Sequence, residues 1–217
     1  MTNSGRTVLL AGASGLVGRE ILRGLLADQS VAQVHALVRK PAAEPHPKLR
    51  SHVVDFAALP ALPPVGECYI ALGTTIKAAG SQAAFRAVDH DAVVNTAKAA
   101  KAAGATKLGV VSAMGSDPRS PLFYSRVKGE MEEALASLSF DTLVIARPSM
   151  LAGDRTTVGQ TVRRGEELAL KISKSFGWLI PANYRSIDAA RVANALLRNV
   201  PSTAGRRVML SGELQKY

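Results

Sequence analysis

Short apolar segments alternate with amphipathic segments of helical period along most of the chain. Residues 6–12 (RTVLLAG) predict a buried strand, and residues 16–28 have the apolar spacing of a helix. The alternation continues, with further strands predicted at residues 33–39, 51–56, 68–73, 107–113 and 142–148. Near-continuous apolar strands separated by helices predict an α/β fold, a doubly wound and mostly parallel sheet with helices on both faces.

Helical periodicity is clearest in three longer segments. An alanine-rich helix is predicted from about Ser81 to Ala103, a second at residues 121–138 and a third at residues 184–200, and RRVMLSGEL (206–214) predicts a final strand. The chain has 217 residues, of which 47% are hydrophobic, and its sequence contains no internal repeat. This length and composition predict a single domain spanning residues 1–217.

The helix predicted at residues 121–138 places a lysine on its apolar side. Met131, Leu135 and Leu138 form a stripe at intervals of four and three, and this stripe extended backwards reaches Lys128 and then Tyr124. A buried ammonium group is costly unless it is paired. Lys128 therefore either extends along apolar surface to reach solvent or has a functional role.

A glycine-rich turn follows the first predicted strand and opens the first predicted helix. The segment GASGLVG places its glycines at three-residue intervals. Glycines in this context allow a tight turn and let the N–H groups at the helix N-terminus approach a pyrophosphate, whose negative charge the helix dipole favours. We therefore predict dinucleotide binding rather than a merely tight turn, with contacts from Gly12, Ser14, Gly15, Leu16, Val17 and Gly18.

The residue type at the end of the second predicted strand favours NADP(H) over NAD(H). An NAD site usually has an acidic residue there to accept from the ribose 2′-hydroxyl group, but this chain has Arg39, followed by Lys40. A guanidinium group suits a 2′-phosphate, and Arg19 would add positive charge nearby. Asp55, which closes the third predicted strand, is either a partner for the adenine amino group or a cap for the following loop.

Five motifs, taken in their order and spacing, resemble the short-chain dehydrogenase/reductase superfamily, specifically its small atypical branch of TIP30/CC3-like oxidoreductases. They are GASGLVGRE, ALGTT, VVSAMGSD, FYSRVKGE and ARPSMLAGDR. The resemblance spans nearly the whole chain and implies a Rossmann fold. It also implies catalytic roles for Ser112, Tyr124, Lys128 and Asn95. The cofactor contacts that it implies beyond the glycine-rich turn come from Ala71, Leu72, Gly73, Lys128, Arg147 and Pro148.

Each implied catalytic residue has a chemical role. The Tyr124 phenol would protonate the alkoxide that forms during carbonyl reduction, and the Lys128 ammonium would draw the phenol pKa towards the working pH. Ser112, or its rival Ser116, would hydrogen-bond the substrate oxygen. Asn95 would either take part in a proton relay or satisfy a backbone carbonyl group in the core.

Composition and charge narrow the range of partners. The formal charge of +10 suits an acidic small molecule, but aromatic content is only 5% and no zinc-finger or RNP-type motif is present, so we expect no nucleic-acid binding. No apolar run approaches the roughly 18 residues of a membrane span, and a glycine-rich turn stands where a signal peptide would have its cleavage region. We therefore expect a cytoplasmic protein without a membrane partner.

The single cysteine, Cys68, lies in a predicted buried strand, where a reactive thiol is the less favoured interpretation.

Residues 149–185 are expected to form a small substrate-binding region. They carry cations that could bind a carboxylate or a phosphate group, although solvated helix faces explain most of them equally well: Arg155, Arg163, Arg164, Lys171, Lys174 and Arg185.

The favoured function is an NADP(H)-dependent oxidoreductase acting on a small carbonyl/alcohol pair, with an epimerase-type use of the cofactor as a chemical variant. The alternative is a dinucleotide-binding regulatory protein that acts through a protein partner. Both a monomer and a homodimer are compatible with the sequence.

Overall fold

Parallel strands form the centre of the structure. The computed structural model describes residues 5–40, 45–152, 181, 183 and 185–217. Seven strands make one sheet: β1 (Arg6–Ala11), β2 (Val31–Val38), β3 (Leu49–Val53), β4 (Glu67–Ile70), β5 (Lys107–Val111), β6 (Thr142–Arg147) and β9 (Gly205–Leu210). Their spatial order is β3-β2-β1-β4-β5-β6-β9, and every neighbouring pair is parallel. Two short strands, β7 (Leu151–Ala152) and β8 (Ile187–Asp188), form a separate parallel pair.

Helices connect most of the strands. In chain order they are α1 (Leu16–Ala27), α2 (Ile76–Ala79), α3 (Gln82–Arg86), α4 (Val93–Ala102), α5 (Phe123–Ser137), α6 (Ala189–Asn199) and α7 (Ser211–Leu214). A π-helical segment, Ala87–Ala92, joins α3 to α4. Within the described part of the chain, none of these helices is both long enough and apolar enough to cross a membrane.

Each face of the sheet buries its own apolar core, because alternate residues of a strand point to opposite faces. On one face α1 and α6 pack against strand residues such as Leu10 and Val144. On the other face α4 and α5 pack against strand residues such as Leu9 and Ile145. The predicted doubly wound α/β sheet with helices on both faces is therefore confirmed. Cys68 is fully buried in the second core, and burial raises the pKa of its thiol.

Two predicted elements near the C-terminal end differ from the structure. The final strand was expected to reach residue 214, but β9 ends at Leu210, where the chain turns into the short helix α7. The preceding helix begins at Ala189 rather than at residue 184. Asp188 has an extended backbone, and its carboxylate accepts a hydrogen bond from Ala190 N (2.9 Å), which caps the helix at that point.

The strand order reverses at β1, with β2 and β3 on one side and the other strands on the opposite side. Ligands of open parallel sheets bind beyond the carboxyl ends of the strands at such a reversal. The backbone approaches closely there: Ala71 N donates to Ala11 O (2.9 Å), and a Cβ atom on Gly12 would lie 2.5 Å from Ala71 O. The fold therefore places the glycine-rich turn at the position where ligands of such sheets bind.

The histidine pair of β2 and β3 makes the stability of the fold depend on pH. His35 Nδ1 and His52 Nε2 are 2.9 Å apart. Burial, followed by the positive charges of His52 and Arg50, lowers the pKa of His35. In the unfolded chain His35 takes up a proton near pH ~6.5, whereas in the folded chain it does so only at a lower pH. The free energy of unfolding should therefore fall as the pH drops below about 6.5.

Urea unfolding at about pH 7.5 and about pH 5.5 measures this effect. Wild type should lose stability between the two conditions, and His35→Gln should lose less because glutamine does not titrate. His46→Gln is the control, since it removes a histidine outside the pair, and it should keep the wild-type loss. An equal loss in wild type and His35→Gln would show that His35 does not cause the pH dependence.

Candidate functional site

Helix α5 carries the polar side chains of the candidate site along one stripe. Tyr124, Lys128 and Glu132 are four residues apart and therefore neighbours on the helix surface. Tyr124 is 38% exposed, whereas Lys128 is 4% exposed and Glu132 is 1% exposed. Gly129 allows α5 to pack tightly, because a Cβ atom there would lie 2.2 Å from Pro118 N. The stripe thus runs from the protein surface into the interior.

Lys128 is paired with a buried carboxylate that the sequence analysis did not identify. Its Nζ lies 2.8 Å from Asp89 Oδ1, and Asp89 Oδ2 accepts a hydrogen bond from Thr74 N (2.8 Å). The pair lies directly under the loop after β4, since a Cβ atom on Gly73 would be 3.4 Å from Asp89 Oδ1 and 4.0 Å from Lys128 Nζ. The sequence did contain a signal for such a carboxylate, because a lysine on an apolar stripe requires a counter-ion.

Asp89 rather than Asn95 lies on the buried face of the helical stretch from α3 to α4. Asp89 follows the buried Phe85 by four residues, and Val93 and Ala97 continue the same buried stripe at intervals of four. The sequence pattern had predicted a different face, with Asn95 beside Ala92 and Ala99. In the structure Asp89 is buried, whereas Asn95 is only half-buried and donates to Phe56 O (3.2 Å). Among the described residues, no hydrogen bond connects Asn95 with Ser112, Tyr124 or Lys128, so the geometry favours its backbone-satisfying role over a proton relay.

The hydroxyl group of Ser112, just after β5, forms a hydrogen bond with a side chain of α5. Ser112 Oγ donates to Glu132 Oε1 (2.5 Å), and it lies 3.0 Å from Ser116 Oγ, which itself donates to Ala113 O (2.7 Å). Each hydroxyl group has one proton to donate. When Ser112 donates to Glu132, it has none left for a substrate oxygen, so a donating contact with substrate requires this bond to break.

Arg147, at the end of β6, completes the network around Glu132. Arg147 Nε donates to Glu132 Oε1 (2.9 Å), and Arg147 Nη2 donates to Glu132 Oε2 (2.6 Å). These hydrogen bonds to a carboxylate raise the pKa of Arg147. The guanidinium group predicted to contact the cofactor is thus held by a carboxylate that the sequence analysis missed. Pro148 O accepts from Met114 N (2.9 Å), so the two residues join the loops after β5 and β6.

Tyr124 lies at the outer end of the stripe. Its ring packs against the Phe85 ring with 5.5 Å between centroids. Burial raises the pKa of the Tyr124 phenol, the Lys128 ammonium opposes this increase, and the Asp89 carboxylate adds to it. The net direction is upward, which differs from the expectation that Lys128 would draw the phenol pKa down. The difference arises mainly because burial of the phenol outweighs the effect of Lys128, and the Asp89 carboxylate adds a smaller contribution in the same upward direction.

The glycine-rich turn has the shape that a dinucleotide requires. Gly12 has φ +90°, a conformation that side chains disfavour, and a Cβ atom on Gly18 would lie 1.9 Å from Gly12 O. The N-terminus of α1 has Gly15 at its cap with no capping side chain, and its first turn contains no acidic residue. The loop therefore leaves N–H groups available to an anion, as the pyrophosphate of a nicotinamide dinucleotide would need. These residues fit the cofactor that the sequence predicts.

The other predicted cofactor contacts surround this turn. Arg39 is exposed directly after β2, and no hydrogen bond or ion pair links it to another described residue. Asp55 Oδ1 accepts from Ala57 N (2.9 Å), which is the loop-capping role. Ala71 and Leu72 are half-buried beside Gly12, and Gly73 is exposed above the Lys128–Asp89 pair.

The predicted substrate-binding region falls mainly outside the described residues. This applies to five of its cations: Arg155, Arg163, Arg164, Lys171 and Lys174. At the edges of this region, Ser149 Oγ donates to the backbone carbonyl of Arg185 and contacts Ser211 Oγ (3.0 Å). Roles for residues 149–185 in substrate binding therefore remain predictions.

Comparisons with known proteins agree with this geometry. A family model described as NAD(P)H-binding matches residues 12–176. The protein named FMP52, mitochondrial, of Coccidioides immitis is 36% identical over 208 residues, which cover 87% of this chain and 83% of the relative. The rat protein HTATIP2 is 33% identical over 214 residues, which cover 94% of this chain and 85% of that protein.

Solved structures show the same fold at low sequence identity. MoeE5 in complex with UDP-glucose and NAD has a TM-score of 0.70 at 18% identity, over 94% of this chain and 75% of that one. A short chain dehydrogenase family protein from Francisella tularensis has a TM-score of 0.68 at 13% identity, over 97% of this chain and 99% of that one. The predicted Rossmann fold is therefore confirmed.

The expected cytoplasmic location is wrong by this comparison. The matching proteins of Coccidioides immitis, Emericella nidulans and Aspergillus niger are all named as mitochondrial. The expectation rested on composition and on the N-terminal sequence pattern, and neither reports the compartment in which a folded chain resides.

Removal of the Glu132 charge should destabilise the fold. The carboxylate holds Ser112 of the β5 end and Arg147 of the β6 end, and loss of one partner of a buried ion pair costs about 3–5 kcal/mol. Arg147 is partly exposed and can regain water, so we expect about 2–3 kcal/mol for Glu132→Gln in urea unfolding.

The matched control is Glu133→Gln, because Glu133 is the next residue of the same helix and is exposed. It should change the free energy of unfolding by less than about 0.5 kcal/mol. Equal effects of the two substitutions would contradict a structural role for the Glu132 network.

Proposed function

The chain belongs to the NAD(P)H-binding family, in the atypical branch of the short-chain dehydrogenase/reductase proteins, and we propose that it is an NADP(H)-dependent oxidoreductase. The proposed reaction is hydride transfer between nicotinamide and a small carbonyl or alcohol substrate. One observation carries the proposal: Tyr124 and the buried Lys128 lie one helical turn apart, and Lys128 lies under the loop Ala71–Gly73 that contacts the glycine-rich turn.

The residues present suit the binding of a nicotinamide dinucleotide. The glycine-rich turn and the N-terminus of α1 would hold its pyrophosphate group, and Arg39 would hold a 2′-phosphate. Lys128 lies next to Gly73, and this proximity supports its proposed contact with the ribose, which the family resemblance implies. When bound, the cofactor would supply or accept the hydride.

Tyr124 is proposed to move the proton. In reduction its hydroxyl group donates to the oxygen of the substrate as negative charge develops there, and in oxidation the phenolate accepts the proton back. The exposure of Tyr124 supports this role, since a substrate can reach it from solvent. Ser112 could contact the substrate oxygen as a donor only after leaving Glu132, so we propose that its main role is to hold the β5 end against α5.

The cofactor preference is tested by Arg39→Ala. Loss of a charge-assisted phosphate contact costs roughly 1.5–3 kcal/mol, so the dissociation constant for NADPH should rise about 10- to 100-fold, while that for NADH should change little. Arg50→Ala is the charge-matched control, because Arg50 lies at the start of β3, away from the carboxyl end of β2 that Arg39 follows, and donates to backbone carbonyl groups there. Calorimetric titration measures both cofactors, and equal wild-type affinities for them would remove Arg39 from the site.

The proton donor is tested by Tyr124→Phe, which keeps the ring that packs against Phe85 and removes only the hydroxyl group. Small aldehydes and ketones are screened by NADPH consumption, and the active substrate is then used to compare variants. The expected result is a loss of kcat of about 10²–10⁴-fold with unchanged NADPH affinity.

Tyr217→Phe provides the control for loss of a tyrosine hydroxyl group, because the Tyr217 hydroxyl accepts from Asn199 near the C-terminal end. This variant should keep wild-type kcat. Full activity of Tyr124→Phe would exclude Tyr124 as the acid. NADPH binding without turnover across the screen would leave the regulatory interpretation in place of the enzymatic one.

A further inference from the structure

Asp89 is a buried carboxylate that the proposed proton transfer does not use. It is 1% exposed, and its two oxygens have different partners: Oδ1 lies 2.8 Å from Lys128 Nζ, and Oδ2 accepts from Thr74 N (2.8 Å). As the counter-ion of a buried ammonium group, the carboxylate removes the net positive charge that Lys128 would otherwise place in the site. This change of charge affects any titratable group nearby.

We propose that Asp89 is a positioning residue that holds Lys128 and offsets its charge, so that Tyr124 keeps its proton to a higher pH than it would beside a lone ammonium group and the site favours carbonyl reduction. This inference rests on the proposed oxidoreductase function. A lone ammonium group close to a phenol favours the phenolate, which is the base needed for alcohol oxidation. With a carboxylate 2.8 Å from Nζ, Lys128 and Asp89 form a pair without net charge, whose effect on the phenol is much weaker.

The balance of the reduction step shows why a protonated phenol is needed. A bound reduced nicotinamide would supply a hydride to the carbonyl carbon, and Tyr124 would supply a proton to the carbonyl oxygen, so that the products would be the alcohol and the oxidised cofactor. Tyr124 is left as a phenolate and regains a proton from solvent. A residue that is already a phenolate before the step has no proton to donate.

The charges around Tyr124 agree with a carboxylate that offsets part of the lysine charge. Burial is the largest influence on the pKa of the phenol and raises it, Lys128 lowers it, and Asp89 raises it by a smaller amount. The other charged side chains on this part of α3, the π-helical segment and α5 have partners of their own: Arg86 pairs with Glu130, His90 pairs with Asp91, and Arg126 donates to Ser120 O and Pro121 O.

Asp89 also connects the lysine to the predicted cofactor loop. Asp89 accepts a hydrogen bond from Thr74 N, and Thr74 directly follows the loop Ala71–Gly73. Ala71 in turn contacts the glycine-rich turn. One carboxylate thus positions both the Lys128 ammonium and the backbone of this loop. Asp89 lies on the buried side of the π-helical segment, four residues after the buried Phe85.

The test is a pH titration of Tyr124 in the folded protein without cofactor or substrate. The phenolate absorbance of each variant is compared with that of the same variant carrying Tyr124→Phe, so that the difference reports Tyr124 alone. Asp89→Asn keeps the shape of the side chain and removes its charge, and it should lower the titration midpoint of Tyr124 by at least about one pH unit. Asp91→Asn, an exposed change two residues away, is the control and should leave the midpoint unchanged.

Two further variants keep the inference testable if Asp89→Asn does not fold. Lys128→Met leaves the carboxylate alone and should raise the midpoint. The double variant Asp89→Asn with Lys128→Met removes both charges and should return the midpoint close to the wild-type value. An unchanged or raised midpoint in folded Asp89→Asn, or a lowered one in Lys128→Met, would overturn the inference.

The kinetic consequence is measured with a substrate from the carbonyl screen. In Asp89→Asn the pH at which alcohol oxidation reaches half its maximum should fall with the phenol midpoint, whereas Asp91→Asn should keep the wild-type profile. Two outcomes separate this inference from the proposed function. If Asp89→Asn shifts the titration midpoint of Tyr124 but wild type turns over no substrate, the proposed oxidoreductase function is refuted and the effect of the Asp89 charge on Tyr124 stands. If wild type turns over substrate but Asp89→Asn does not shift the pH profile of alcohol oxidation, the role of Asp89 is refuted and the oxidoreductase function stands.

Discussion

The requirement that buried charge be paired governs the arrangement of the candidate site. Helix α5 carries Lys128 and Glu132 into the interior, and each finds an opposite charge on a neighbouring element, Asp89 and Arg147 respectively. In the described part of the chain, every buried side-chain nitrogen or oxygen has a hydrogen-bond partner. These pairs fix where α5 lies against the helix before it and against the ends of β5 and β6, and hence where Tyr124 emerges at the surface.

The sheet supplies a second constraint that acts on backbone rather than on side chains. Where the strand order reverses, Gly12 and Ala71 approach so closely that only glycine fits at position 12. The same loop continues over the Lys128–Asp89 pair through Gly73. The glycine-rich turn and the polar stripe of α5 are thus connected by three loop residues, which places the predicted cofactor contacts and the predicted acid/base in one continuous region.

The polar stripe separates two kinds of role among its members. Tyr124 is exposed enough to be reached from solvent, whereas Lys128 and Glu132 are almost fully buried and paired with Asp89 and Arg147. Ser112 belongs to the buried group, because its hydroxyl proton is held by Glu132. A family motif can therefore identify residues that lie together without identifying which of them touch a ligand.

The sequence alone determined the α/β class, the glycine-rich turn and the position of Tyr124 and Lys128 on one helix face, because these features follow from short-range periodicity and spacing. Only the tertiary structure decided which side chains meet. Asp89 rather than Asn95 lies on the buried face next to Lys128, and the ends of β5 and β6 bring Ser112 and Arg147 to Glu132. The choice of the buried face of a helix and a contact between residues distant in sequence depend on packing against other elements, which local sequence patterns do not encode.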